Sequence, residues 1–99
     1  MRMGYIYILT TKNNKMLYIG VTNNLLRRVY EHKQGIVEDF TKKFHIKKLV
    51  YYEQYDSIQD AIQREKTLKE WNRAWKEYLI TSANPSWGDL YEQLAPTFL

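Results

Sequence analysis

The sequence predicts an α+β domain: a three-stranded, mostly antiparallel sheet in the order ββαβαα, with helices packed on it like one slice of a sandwich. Three observations predict it. Two β-rich runs, Tyr5-Ile6-Tyr7-Ile8-Leu9 and Leu17-Tyr18-Ile19-Gly20-Val21, flank a short polar stretch. A third run, Lys48-Leu49-Val50-Tyr51-Tyr52-Glu53-Gln54-Tyr55, stands alone between helix-like segments. The chain has 99 residues, which suits one domain.

The first two runs form a β-hairpin, because Thr11-Lys12-Asn13-Asn14-Lys15 between them holds Asn residues that tolerate turn conformations. Asn23 or Asn24 then caps a helix over about residues 25–34, which Gly35 closes. Residues 36–44 read as a basic, irregular segment. The third strand covers residues 48–55. Asp56-Ser57 caps a long helix from Ile58 into the region of Trp71 and Trp75, which Asn72-Arg73 bends or splits. Helix continues to about Ile80, Asn84-Pro85 breaks it, and residues 89–94 form one last short helix. No linker composition, repeat or low-complexity segment interrupts the chain. Residues 1–99 are therefore expected to be a single domain with its core at about 4–87.

Composition narrows the function classes. The chain has no Cys, which excludes disulfides, thiolate metal sites and thiol nucleophiles. No apolar run approaches the ~20 residues of a membrane span, and Met1-Arg2-Met3-Gly4 leads into strand-like sequence without a signal-peptide core. A cytoplasmic protein with no membrane partner is the expectation. The net charge of +4 favours a polyanion. Nine Tyr residues suit a wet working surface as well as a core.

Four features sit oddly in an otherwise ordinary pattern. On the helix from Ile58, the apolar positions are Ile58, Ala61, Ile62 and Leu68, and Glu65 falls in the middle of that stripe. A carboxylate on a core-facing stripe needs an ion pair, for instance with Arg64 or a Lys, or a bound cation. Arg28 and His32 share a helix face and flank the core side set by Leu25, Leu26 and Val29, so both point along the seam between helix and sheet. A snorkelling Arg and a surface His are the plain alternative. Tyr7 and Tyr18 lie on one face of the hairpin, with Gly20 leaving open space beside Tyr18. A cross-strand aromatic pair is the plain alternative there. Lys42, Lys43, Lys47 and Lys48, with Arg27 and Arg28, form either a solvated face or a phosphate groove. Together these supply what phosphodiester hydrolysis needs: a metal carboxylate, a cationic clamp, and hydroxyl and imidazole groups to take a proton from water.

The ordered set resembles the GIY-YIG endonuclease superfamily, in its small stand-alone bacterial branch. The matching elements are Tyr5-Ile6-Tyr7, Tyr18-Ile19-Gly20, then Arg28 and His32, then Glu65. The second triplet matches letter for letter. The first has Tyr5 where the family name has Gly, with Gly4 just before it. The resemblance runs from about Tyr5 to Trp87 and is strongest from Tyr18 to His32; Arg64-Glu65 with Trp71 and Trp75 points to the stand-alone branch.

The resemblance implies the GIY-YIG fold and a metal-dependent endonuclease that cuts DNA, and a domain this small is expected to read DNA structure rather than sequence. It implies that Tyr7, helped by His32, deprotonates the attacking water, and that Tyr18 lines the site. Arg28 holds the scissile phosphate, and Glu65 is the single carboxylate on one Mg²⁺ or Mn²⁺. Arg27, Lys42, Lys43 and Asn84 are the expected contacts to nucleic acid. Trp71, Trp75 and Trp87 are expected to pack the helices, and His45 to lie on the surface. The expected protein is a monomer, with room for a protein partner that supplies specificity. Two competing readings come from other classes: a nucleic-acid-binding module without useful catalysis, and a protein-interaction domain using Tyr51, Tyr52, Tyr55 and Trp87.

Overall fold

Strands β1 (Gly4–Thr10), β2 (Leu17–Thr22) and β3 (Lys48–Tyr55) form one sheet in the order β2-β1-β3, with both pairings antiparallel. The structure is a computed structural model that describes residues 3–37 and 39–95. The reading of Met1 and Arg2 as a lead-in to the first strand lies outside the described residues.

Being central, β1 has both faces covered, so Ile6, Tyr7, Ile8 and Leu9 are all buried. One face carries Ile6, Ile8, Ile19 and Val50, packed by Ala61 and Leu68 of α3 (Ile58–Glu70) and Ile80 of α4 (Arg73–Ala83). Gly4 lets α3 approach closely, since a Cβ there would lie 2.8 Å from the Ala61 Cβ. The other face carries Tyr7, Leu9 and Leu49, packed by Leu25 and Val29 of α1 (Leu25–Lys33), with Ile46 and, partly buried, Tyr91 and Leu94 of α5 (Tyr91–Leu94). A bulge opposite Ile8 and Leu9 puts Val50 out of the alternation, so Val50 and Tyr51 both join the α3 face while Leu49 joins the α1 face.

The helix starts follow side-chain capping. Asn24 accepts from the Arg27 N–H, Ser57 from the Asp60 N–H, and Asn72 from the Trp75 N–H. The Asn72 cap is why the long helix is split rather than bent: Trp71 is extended, and α4 starts afresh at Arg73. Helix then persists to Ala83, three residues beyond the expected Ile80. Gly35, at φ 70°, closes α1 as expected.

Three expectations need correction. Residues 36–44 are not wholly irregular, because Asp39 caps a one-turn helix, α2 (Phe40–Lys43), by accepting from the Thr41 N–H. Ile62 is 37% exposed, so the buried stripe of α3 runs through Ala61 and Leu68 alone. Trp75 is 57% exposed and meets only the edge of the packed Trp71, at 5.9 Å between ring centroids.

The segment after α4 is tied to β3 by polar bonds. Leu90 N–H donates to the Leu49 carbonyl at 2.8 Å, and Asp89 accepts from the Leu49 N–H and pairs with Lys33. Asn84 is buried and donates through Nδ2 to the carbonyls of Val50 (3.1 Å) and Gly88 (2.9 Å). Among the described residues, no helix is long and apolar enough to cross a membrane.

Both Nδ2 hydrogens of Asn84 are used inside the fold. Asn84→Ala should therefore lower unfolding stability by about 1–3 kcal/mol in urea titrations, with nucleic-acid affinity unchanged in the folded variant. Loss of affinity at unchanged stability would restore Asn84 as a phosphate contact.

Candidate active site

The site begins with register. Tyr7 pairs directly with Gly20 across the hairpin, and Leu9 pairs with Tyr18. Tyr7, Tyr18 and Gly20 therefore share a face, with the two tyrosines one diagonal apart, at 6.3 Å between ring centroids. The Tyr7 phenol leans across Gly20. A Cβ at residue 20 would meet Tyr7 Cζ and Oη far inside the 3.0 Å that real contacts respect. The glycine is thus a seat for the phenol, and the open space lies under Tyr7 rather than beside Tyr18.

His32 comes from the last turn of α1 and is 2% exposed. It closes a three-ring cluster, 5.7 Å from Tyr7 and 5.5 Å from Tyr18. Tyr7 Oη lies 3.0 Å from His32 Nε2, and His32 Nδ1 lies 2.9 Å from Thr41 Oγ1. Thr41 in turn donates its hydroxyl proton to Asp39 Oδ1.

The directions follow from the end of the chain. An ionised Asp39 only accepts, so the Thr41 proton is committed to it. Thr41 Oγ1 must then accept from a protonated Nδ1. That leaves Nε2 of the neutral imidazole as an acceptor for the Tyr7 proton. A directed relay runs Tyr7 → His32 → Thr41 → Asp39, and the lone pairs of Tyr7 remain for an outside donor.

The electrostatics agree. Burial works against the Asp39 carboxylate, but hydrogen bonds from the Thr41 hydroxyl and N–H outweigh it and hold its pKa below the usual range. Burial, opposed by Asp39, keeps His32 below its ordinary value, so it is neutral at pH 7. Burial, then the neighbouring Tyr18, pushes Tyr7 well above 10. Burial, then Asp39 and Glu65, raises Tyr18 as well.

Arg28 and Glu65 complete the group. Arg28 acts on the charges of Tyr7, Tyr18 and His32, and its only ion pair among the described residues is a long one, 3.7 Å to Glu31. Glu65 projects from α3, on the other layer, yet it acts on Tyr7 and Tyr18 because β2 is an edge strand. Its side chain is only 16% exposed, and among the described residues its cation is Lys69, at 3.3 Å and 55% exposed. Arg64 is engaged elsewhere, forked onto Glu53 at 2.9 and 3.1 Å. Among the described residues, no group of three or more His, Asp or Glu gathers as a metal cluster.

The structure thus brings together Tyr7, Tyr18, Arg28, His32 and Glu65, with Gly20 beneath. Tyr5 is half-buried on the Tyr7 face, and Ile6 and Ile19 are core residues of the opposite face. Lys42 and Lys43 are exposed on α2, beside the relay. Arg27 is also exposed, but on a separate hollow with Tyr30 and Tyr91. Asn84 does not join them, because its amide is locked at the β3 edge. His45 is exposed, as expected.

Sequence reasoning missed Asp39 and Thr41. An Asp two residues before a Thr is a legible helix cap, but nothing local says that the Thr meets a His nine residues back.

The family model described as "GIY-YIG catalytic domain" matches residues 3–79. The UPF0213 protein CPE1444 of Clostridium perfringens is 39% identical over 80 residues, which is 81% of this chain and 85% of that protein. A UPF0213 protein of Natronomonas pharaonis is 40% identical over 76 residues, 77% of this chain and 88% of its own. The solution NMR structure of the UPF0213 protein BH0048 from Bacillus halodurans aligns with a TM-score of 0.51 at 29% identity, over 80% of this chain and 83% of that one.

The relay fixes a tautomer. Long-range ¹H–¹⁵N spectra at neutral pH should show His32 protonated on Nδ1 alone, and Thr41→Val should disturb that preference. An Nε2-protonated ring in the unaltered protein would break the relay as drawn.

Proposed function

The chain belongs to the GIY-YIG catalytic domain family, and on that premise we propose that it is a metal-dependent endonuclease that hydrolyses phosphodiester bonds in DNA. The observation that carries the proposal is the buried Tyr7–His32 bond at the head of the relay. Burying Tyr7, His32 and Thr41 in sequence is costly unless each is satisfied. Nucleic-acid binding alone does not call for a phenol backed by an imidazole.

Tyr7 is a conduit rather than a standing base. Its raised pKa means that no free phenolate exists at neutral pH. A water that donates to the Tyr7 oxygen can nevertheless lose its proton as the Tyr7 proton moves to His32 Nε2. The imidazolium so formed faces Thr41 and the ionised Asp39. The water oxygen forms the new P–O bond as the bond to the sugar oxygen breaks, and that oxygen takes a proton from solvent. Arg28, beside the rings, neutralises charge growing on the phosphoryl oxygens.

Glu65 is the residue that would hold the metal. A mostly buried carboxylate whose cation among the described residues is one half-exposed lysine suits a hard ion that takes one or two carboxylates and keeps its waters. When bound, such an ion polarises the phosphate and steadies the leaving oxygen. Lys69 is exposed enough to turn to solvent were an ion held at Glu65.

Structure selectivity is part of the proposal. The residues gathered here are suited to phosphate, and a phosphate contact would position a strand without reading its sequence.

End-labelled duplex, nicked, flap, branched and single-stranded DNA, with RNA as a comparison, should reveal cleavage that needs Mg²⁺ or Mn²⁺ and stops in EDTA. Tyr7→Phe should slow it by about 10²–10⁴-fold, and Glu65→Gln should abolish it without unfolding the protein. The rate should fall with acid, because His32 must be neutral to accept, and its pKa lies below the ordinary 6.5. An unchanged rate in Glu65→Gln would sink the assignment.

A further inference from the structure

Two large aromatic side chains beside the site stay largely exposed to solvent. Phe40 is 43% and Phe44 42% exposed, four residues apart on and just after α2. Phe40 packs edge-on against Tyr18, at 5.9 Å between centroids and 61° between planes. Phe44 packs edge-on against Phe40, at 5.8 Å and 72°. The rings therefore continue outward from the Tyr18 ring, and both stay more than two-fifths exposed.

Cations border this track on both sides. Phe40 and Tyr18 line a hollow with Lys69 and Lys76. Lys43 lies over the Phe44 ring, 5.3 Å from its centroid. Past Phe44 runs an open groove of about 580 Å³ that also holds Lys12, Lys15, Met16 and His45. Aromatic faces that alternate with lysines suit a chain of flat rings joined by anions. In a duplex those faces are stacked and paired, so only unpaired bases can meet the two phenyl groups.

We propose that Phe40 and Phe44 are a stacking platform for unpaired bases, and that Lys12, Lys15 and Lys43 track the phosphates of the same single strand. Resting on the nuclease reading, this names its substrate class: DNA with a single-stranded stretch next to the scissile phosphate. The platform leads the strand to Tyr18, and so to Tyr7 and Glu65.

The test separates binding from cutting by working in EDTA. Fluorescence anisotropy is read with a labelled deoxythymidine strand of about 15 nucleotides, and with a blunt duplex of the same length. The strand should bind more tightly than the duplex. Phe44→Ala and Phe40→Ala should each weaken strand binding about 5- to 150-fold while duplex binding stays put.

Phe44→Ala does not touch Tyr18, so it stands even where Phe40→Ala disturbs the fold. Phe44→Tyr, which keeps a stacking face, should retain affinity. Unchanged strand affinity in Phe44→Ala, or equal losses for strand and duplex, would overturn the platform. So would Phe-dependent pelleting with phosphatidylserine vesicles in a protein that ignores the strand. Metal-dependent cleavage that ignores both Phe substitutions would end this inference and leave the nuclease standing. Phe-dependent strand binding in a protein that never cuts would do the reverse.

Discussion

Everything at the site hangs on the absence of one carbon atom. Tyr7 sits on the central strand, where both faces are covered, and a phenol there has nowhere to lie except across its partner on β2. Gly20 is that partner, and any side chain at residue 20 would collide with the phenol's hydroxyl end. The seat aims Tyr7 Oη at His32, whose own position is set by the phase of α1 from its Asn24 cap. Chemistry is thereby fixed by the two most rigid elements available, a central strand and a capped helix on it.

The remaining groups reach the same point from different layers. His32, Thr41 and Asp39 lie on the α1 side of the sheet, whereas Glu65 belongs to α3 on the opposite side. A central strand would keep the two sides apart. They meet because β2 is an edge, and a side chain from each layer can pass its rim. The arrangement also divides the electrostatics sensibly. Tyr7, His32 and Thr41 are buried and mutually satisfied, ending on a partly exposed Asp39, with no buried side-chain polar atom left unpartnered among the described residues. Arg28 and Glu65, the proposed phosphate and metal contacts, stay nearer water with weak or exchangeable partners.

Much of this was legible in the sequence because it is local. The strands, the hairpin and the caps depend on neighbours a few residues apart, and so do the helix faces that bring Arg28 to His32. The shared face of Tyr7 and Tyr18 followed from the even loop of the hairpin. Failures came where one element depends on another. Ile62 had the right spacing for the core but lies on the flank of α3 that the narrow sheet does not cover. Asn84 was expected at phosphate from the family resemblance, yet carbonyls of β3 and of the following loop take its amide hydrogens. Thr41 and Asp39 were invisible as site residues, since their role exists only through a histidine on another helix.

The one-turn helix α2 shows how closely stability and chemistry are joined here. Four residues of helix are too short to persist alone in water, because nucleation is unfavourable and too few bonds follow it. What holds α2 is its contacts: Asp39 caps it, Thr41 on one side bonds His32, and Phe40 on the other packs against Tyr18. Each of those contacts is also a contact of the candidate site. The segment is therefore ordered by the groups it serves. Loosening the Thr41–His32 bond would weaken the relay and release the two phenyl groups together, so proton transfer and strand placement would fail as one.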